Sequence, residues 1–366
     1  MEYIPYYLAA LMQLTAIAGI VAGGGWAWVG ILQLPFFAIV DPLLAEDERP
    51  RRISNQMLAD LPLILAGVLG LCAFAVLAFR FGHGGLTAFE AVGMILSVGW
   101  LAVVPGVPVT HELYHRWRPL HRRLGLVLQV QYMDCTRLFV HMFGHHTHLA
   151  TSRDSDTARR GESIYSFTAR ALADNYRELY RLEKQSADKH HRSVWSWRGR
   201  FVSALAVLGI FLFALSVIGG WSGLTAGLAA AMIGRVLAEA FNYIQHCGLI
   251  RIEGQPITGR HVWNHLAPLT RAAGFEITNH TPHHLDSTVP FHKLVPVHEM
   301  RMPSAFLCIA ASLLPPIWNR TILWPRLKSW DQQIATPQER ALAREANRKA
   351  GLPDWAGEDT TEALAV

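Results

Sequence analysis

The chain alternates long apolar runs with two long polar blocks, and the runs come in pairs. Apolar stretches lie near residues 6–22, 26–41, 61–79, 91–110, 201–219 and 221–245. About twenty apolar residues in a helix cross the hydrocarbon core of a bilayer, so each run is read as a transmembrane helix, the first two being short for that role. The turns inside the pairs are tight (Gly23-Gly24-Gly25, then 81–88, then 219–222) and hold no Asp, Glu, Lys or Arg. The other connections carry Arg49, Arg51 and Arg52, then a basic stretch over 116–200. Lys and Arg accumulate on the cytoplasmic side, which predicts that both termini and the segments 111–200 and 246–366 are cytoplasmic. Six spans, an even number, close that topology. A further apolar stretch, 305–317, is broken by Pro315-Pro316 and is too short to span, so it is expected to be interfacial or buried. Thr336-Pro337-Gln338-Glu339 reads as a capping box with Pro at the first helical position. Gly351 is expected to close that helix, which is polar and expected on the surface.

Composition supports a membrane protein. Of 366 residues, 51% are hydrophobic and only 17% charged, against about 25% in soluble domains; the mean hydropathy is +0.20. The 12 Trp and 9 Tyr suit the membrane–water interface. The net charge of +5 is therefore read as topology and not as nucleic-acid binding. One membrane domain, 1–366, is expected. The four cysteines, Cys72, Cys135, Cys247 and Cys308, form no C-x-x-C pair, which excludes a disulfide scaffold, a zinc ribbon and a cysteine-ligated iron–sulfur cluster. The start, Met1-Glu2-Tyr3-Ile4-Pro5, lacks the basic region of a cleaved signal peptide.

Histidine carries the chemistry. There are 18, of which seven fall in 111–148 and eight in 246–298. His111 and His115 are four apart and share a helical face. His141-Met142-Phe143-Gly144-His145-His146 repeats the step and adds a neighbour. His280-Thr281-Pro282-His283-His284 is a third group, and His246 ends the last apolar run. Nine imidazoles are too many for one ion; neutral imidazole suits iron, zinc, copper or nickel, and a two-metal site accommodates them. His111-Glu112-x-x-His115 is also the zincin signature, in which the Glu activates water, but a metalloprotease leaves about six clustered histidines unexplained. Carboxylate di-iron bundles use a Glu from each of two helices and Glu-x-x-His from each of two others, and this chain lacks that full set. Ligands on cytoplasmic segments, off any transmembrane path, argue against a transport protein. Arg235, Glu239, Asn242 and His246 form one polar stripe on an apolar helix, where ionisable groups are functional or paired. Glu239 and Asn242 are expected to orient the metal site, in competition with a plain Arg235–Glu239 packing pair. Cys247 is expected to be a buried spectator. His148, His261, His265 and His292 lack the spacing and are expected to be supporting or structural.

These residues carry a resemblance. His111–Arg116 (HELYHR), HMFGHH at 141–146, NYIQHCGL at 242–249 and NHTPHH at 279–284 resemble the motifs of the membrane-bound alkane hydroxylase and xylene monooxygenase family. Arg159-Arg160-Gly161-Glu162-Ser163-Ile164-Tyr165 is similar to the segment after that family's second histidine box. The likeness covers nearly the whole chain, including Trp330-Asp331-Gln332, and is nearest to the branch that oxidises xylene and p-cymene side chains. Tyr114 stands where Gly is frequent and Cys247 where an aromatic residue is common, which leaves substrate choice open.

The resemblance implies an all-α, desaturase-like membrane fold in a bacterial inner membrane, with a cytoplasmic histidine-rich di-iron cap. Its ligands would be His111, His115, His141, His145, His146, His246, His280, His283 and His284. It implies O₂ activation and hydroxylation of an alkylbenzene methyl group, with n-alkane hydroxylation or fatty acyl desaturation and hydroxylation as alternatives. Glu112 and Glu162 join Glu239 and Asn242 as expected supports. Trp26, Trp28, Gln33, Phe36 and Trp100 are candidates for the substrate pocket, against a packing role. The chain has no G-x-G-x-x-G after a strand, no P-loop and no cysteine cluster, so NADH-derived electrons are expected through a separate flavin/iron–sulfur reductase. Arg116, Arg118, Arg122 and Arg123 are expected to steer an acidic partner.

Overall fold

The computed structural model describes residues 2–134 and 136–357. Helices α1 (Tyr7–Ala22) and α2 (Val29–Val40) form the first pair. Their turn is held by a neighbour. The Gly24 amide donates to Glu90 Oε1 at 2.7 Å, and Glu90 also closes a capping box with Thr87 at the start of α4 (Ala88–Leu101). α3 (Gln56–Gly82) starts at Asn55, whose side chain accepts from the Met57 amide and satisfies one of the helix's orphan donors. The expected span at 91–110 is two helices: α4 ends at Leu101, and α5 (Gly106–His115) begins after Pro105. α6 (Pro119–Leu128) and α7 (Ile164–Lys189) follow.

The helical stretch α8 (Arg200–His246) is broken at Gly219 and Gly220, the latter with φ of +59°, a conformation glycine adopts without steric cost. Gly227 lies so close to Leu215 that a Cβ would meet its Cδ1 at 2.4 Å; in a straight helix those positions stand about 18 Å apart. The two halves therefore fold back on each other at the turn expected from the sequence. Among the described residues, five helical stretches are long and apolar enough to cross a membrane, α8 counted as one. Their outer faces expose Ile39, Val68, Ile210, Phe213 and Val217, a surface suited to lipid and not to water.

After α8, the short helices α9 (Pro268–Ala273) and α10 (His280–Leu285) sit in irregular chain. A two-residue parallel pairing of β1 (Asn264–His265) with β2 (Arg301–Met302) holds this segment in register. α11 (Ala305–Ser312) is largely buried against α2 and α8 and does not span. α12 (Pro337–Ala350) has the expected capping box and ends at Gly351 with φ of +66°. It is less free than its polarity suggests. Glu339 is buried and accepts from His261 Nε2 at 2.8 Å, and buried Asn347 shares Arg160 with Asp331.

Candidate metal centre

Nine imidazoles converge at the inner ends of α5 and α8. His111, His115, His141, His146 and His283 form one group, and His145, His246, His280 and His284 the other; within each, one nitrogen per ring lies within 4.8 Å of all the rest. In the first group Nε2 of His141 lies 3.1 Å from that of His115 and 3.0 Å from that of His146, which is 3.3 Å from His283. In the second, His280 Nε2 is 3.1 Å from His246 and 3.0 Å from His284. Seven of the nine rings are at most 7% exposed.

Local geometry decides the sorting. His111 and His115 are one α-helical turn apart and stay together. The segment His141–His145 is a π-helix, whose turn is wider, so His141 pairs with His146 and sends His145 to the other group. In α10, His280 and His284 share a face while His283 points to the first group.

Such an arrangement is costly without a cation. Burial pushes His141, His146, His280, His283 and His284 well below the usual histidine pKa, so these rings are neutral, and one proton per close nitrogen pair cannot satisfy every lone pair. His111 Nε2 and His145 Nε2 are buried without a hydrogen-bond partner. Metal–imidazole bonds of about 2.0–2.1 Å place adjacent ligand nitrogens about 3 Å apart, the spacing seen. An all-imidazole donor set suits iron, zinc or copper.

The surrounding carboxylates orient the rings. Asp154 accepts from His145 Nδ1 at 2.9 Å and is itself held by Thr157 Oγ1 and the Asp156 amide. Burial disfavours a charge on His145, but contact with Asp154 overrides it and raises its pKa. The Ile277 carbonyl accepts from His280 Nδ1 at 2.8 Å. Such outer partners fix tautomer and aim, and losing one costs about 10–100-fold in metal affinity. Asp154→Asn is therefore expected to weaken metal binding by that order at the second group; competition with a chelator checks it, and an unchanged chelator midpoint would remove Asp154 from this role.

Behind the histidines lies a buried ion network. Arg137 donates to Asp134 (2.9 Å), Asp156 (2.9 Å) and Glu239 (2.6 Å), and Arg235 pairs with Glu239 at 2.5 Å. Asn242 donates to Glu239 at 2.9 Å. Glu239 and Asn242 thus belong to this network and are hydrogen-bonded within it, with Asn242 also on the edge of the cavity that His111, His141, His145 and His280 line. Asp134, Arg137, Asp154 and Asp156 were not among the expected residues; the isolated charges Asp134 and Arg137 beside the second histidine box, and two aspartates soon after it, were the available signal. Glu112 is held by Arg116 Nε at 2.8 Å and by the Phe291 amide, away from both groups. Glu162 turns its carboxylate to other partners: it accepts from the Arg159 amide at 2.7 Å and pairs with Arg170 at 2.6 Å, just before Ser163 caps α7. His261 pairs with Glu339, and His265 Nδ1 donates to the Pro303 carbonyl at 2.6 Å. His148 and His292 also stay outside both groups. Burial pushes the Cys247 thiol up to about 12, so it is not a thiolate at neutral pH.

A cavity touches both groups, bounded by His111 and His141 from one and His145 and His280 from the other. Val107, Ala238, Phe241 and Ile277 supply its apolar wall, and Arg137, Asn242 and Gln245 its polar edge. None of the five expected pocket residues lines it. Trp26 and Phe36 are 67% and 58% exposed on the outer, lipid-facing surface. Trp28 donates to the Phe89 carbonyl, and Gln33 to Met12 and Thr15, at the other end of the helices. Trp100 is buried against Phe306, which lines an adjoining apolar cavity that shares Phe241 as its wall. Helix rotation and packing, which composition does not encode, put these side chains elsewhere.

Apolar helices ending in two clusters of buried imidazoles define a membrane oxidoreductase of desaturase type. Residues 86–307 match the fatty acid desaturase family. The chain is 36% identical over 359 residues to the xylene/toluene monooxygenase hydroxylase component of Pseudomonas putida, covering 97% of each chain. It is 30% identical to alkane 1-monooxygenase 1 of Pseudomonas aeruginosa, over 75% of this chain and 72% of that one. It is 24% identical to alkane 1-monooxygenase 2 of Alcanivorax borkumensis, over 88% and 89%. The protein belongs to the family of membrane-bound alkane hydroxylases and xylene monooxygenases.

Proposed function

We propose that the protein is the hydroxylase component of a non-haem di-iron monooxygenase. In this reading it is a single domain that crosses a bacterial inner membrane six times, with both termini and the histidine cap in the cytoplasm. It converts an alkylbenzene methyl group to a benzylic alcohol: R–CH₃ + O₂ + 2e⁻ + 2H⁺ → R–CH₂OH + H₂O. The carrying observation is the pair of buried imidazole groups at the ends of apolar helices, with Val107, Ala238, Phe241 and Ile277 beside them. The relationship to the xylene/toluene enzyme over 97% of both chains supports the alkylbenzene class over n-alkanes. Electrons come from NADH through a separate flavin/iron–sulfur reductase.

His111, His115, His141, His146 and His283 would hold one iron, and His145, His246, His280 and His284 the other. Bound there, iron supplies the O₂ and redox chemistry that side chains lack. The chain's own contribution is positional. Asp154 and the Ile277 carbonyl aim His145 and His280, the apolar wall seats the hydrocarbon, and burial keeps water from the reacting centre. A zinc protease is disfavoured because Glu112, which would have to activate water, is locked to Arg116.

Membranes from cells co-expressing the protein and a reductase, given toluene, p-xylene, p-cymene and n-octane, test this reading. Benzylic alcohols are the expected main products; octanol as the main product would move the protein to the alkane branch. Phe241 separates the metal-facing cavity from the apolar one lined by Val104, Ala305, Phe306 and Ile309. Opening that wall with Phe241→Ala should favour the bulkier p-cymene over toluene by at least about tenfold in kcat/KM, since a single methylene accommodated in an apolar pocket is worth about 1–3 kcal/mol. An unchanged ratio would exclude Phe241 as the size filter.

A further inference from the structure

A groove of about 610 Å³ runs between α12 and the loops 150–160 and 248–253, behind the second histidine group. Its floor includes Ala150, Leu249 and Leu342. Arg159, Arg160, Arg251 and Lys349 line it together with two carboxylates, Glu253, which Arg153 pairs, and Glu345, which Arg348 and Lys349 pair, while Arg160 is held by Asp331. Arg159 is exposed and makes no side-chain ion pair among the described residues. Arg251 gives its guanidinium to the carbonyls of Thr147, Leu149 and Gln255 and makes no carboxylate ion pair among the described residues. The groove is therefore net positive with an apolar floor.

Its wall reaches the metal centre by a short path. Thr157, in the wall, donates to Asp154 at 2.6 Å, and Asp154 accepts from His145 at 2.9 Å. On the other side, Gly248 lines the groove two residues after His246. Two members of the second group thus lie directly behind it. The other basic surface, on α6, has a different character. Arg116 is used internally by Asp60 and Glu112, and Arg118, Arg122 and Arg123 flank Trp117 and Leu120, which are 89% and 75% exposed. Exposed Trp and Leu among arginines suit the headgroup region of a membrane, not a soluble protein partner.

We infer that the groove between α12 and the 150–160 and 248–253 loops is the docking site of an acidic, soluble electron-carrying protein, which reduces the metal centre from the His145–His246 side. This rests on the monooxygenase reading above, which requires two electrons per turnover from a separate flavin/iron–sulfur reductase; two protons from water complete the reduction of the second oxygen atom. Transient redox partners form small, salt-sensitive contacts, and a shallow basic groove fits that kind of encounter.

The test uses the full-length, iron-loaded protein in nanodiscs and a purified NADH-dependent flavin/iron–sulfur reductase. Arg159→Glu/Lys349→Glu should raise the Kd for the reductase, and the KM for it in turnover, at least tenfold. Iron content and the single turnover of dithionite-reduced protein on addition of O₂ should stay at the wild-type level. Arg118→Glu/Arg123→Glu should leave the Kd unchanged. A wild-type Kd in the groove variant, or loss confined to the α6 variant, would overturn the docking site. Wild-type protein that hydroxylates after chemical reduction but neither binds nor accepts electrons from the reductase would also overturn it and leave the reaction standing. No hydroxylation by either route would instead sink the reading on which it rests.

Discussion

His283→Ala is expected to abolish hydroxylation and to lower iron from two ions per chain towards one, and His284→Ala is expected to do the same from the other group. His283 is the only ring that α10 gives to the first group, while His280 and His284 go to the second. Its Nε2 lies 3.3 Å from that of His146, so its loss opens one side of the first site and leaves four rings there. The apo proteins should behave in the opposite sense. Without an ion, five neutral rings hold lone pairs at about 3 Å, and deleting one relieves that crowding, so apo His283→Ala should unfold no earlier than apo wild type. The difference appears on adding ferrous iron. A ligand at a hundred times its Kd stabilises by about 2.7 kcal/mol, and the variant should lose much of that gain. Metal analysis, product chromatography and thermal unfolding with and without iron check the three parts. A fully metallated, active His283→Ala protein would take His283 off the ligand set.

That these nine imidazoles come together was legible in the sequence, because their motifs group them on short segments at the ends of apolar runs. Their division was not. A four-residue step predicts a shared face only on an α-helix, and His141–His145 is a π-helix, so the step that unites His111 with His115 separates His141 from His145. The hairpin near residue 220 was legible for the converse reason: two glycines free of side chains break an apolar run, and the structure turns there. The pocket was misread because Trp26 and Phe36 face outward; in a helix bathed in lipid, hydrophobicity does not distinguish the inner from the outer face. A motif resemblance gives proximity in sequence, and the Glu162 carboxylate goes to Arg170 and the Arg159 amide instead of to a histidine.

Arg235–Glu239 was foreseen as a pair, but its main partner was not. Arg137 lies more than 100 residues away in the chain and joins Glu239 to Asp134 and Asp156. Arg137→Met is expected to be the most damaging change outside the histidines. It leaves three buried carboxylates with Arg235 as the one cation of this network, and removing one partner of a buried ion pair costs about 3–5 kcal/mol. The damage should reach the metal centre through the backbone. Asp134 accepts from the amides of Thr136 and Arg137, which starts the helical turn leading into His141. Glu239→Gln alone should cost less, since Arg137 keeps two carboxylates and the amide can still accept from a guanidinium. The double variant, Arg137→Met/Glu239→Gln, should recover part of the single variant's loss by removing one uncompensated charge, a coupling of about 0.5–3 kcal/mol. Thermal unfolding in detergent with iron analysis reads all three. A wild-type midpoint for Arg137→Met, or strictly additive losses in the double variant, would show that the network is not an electrostatic unit and that His141 is placed by packing alone.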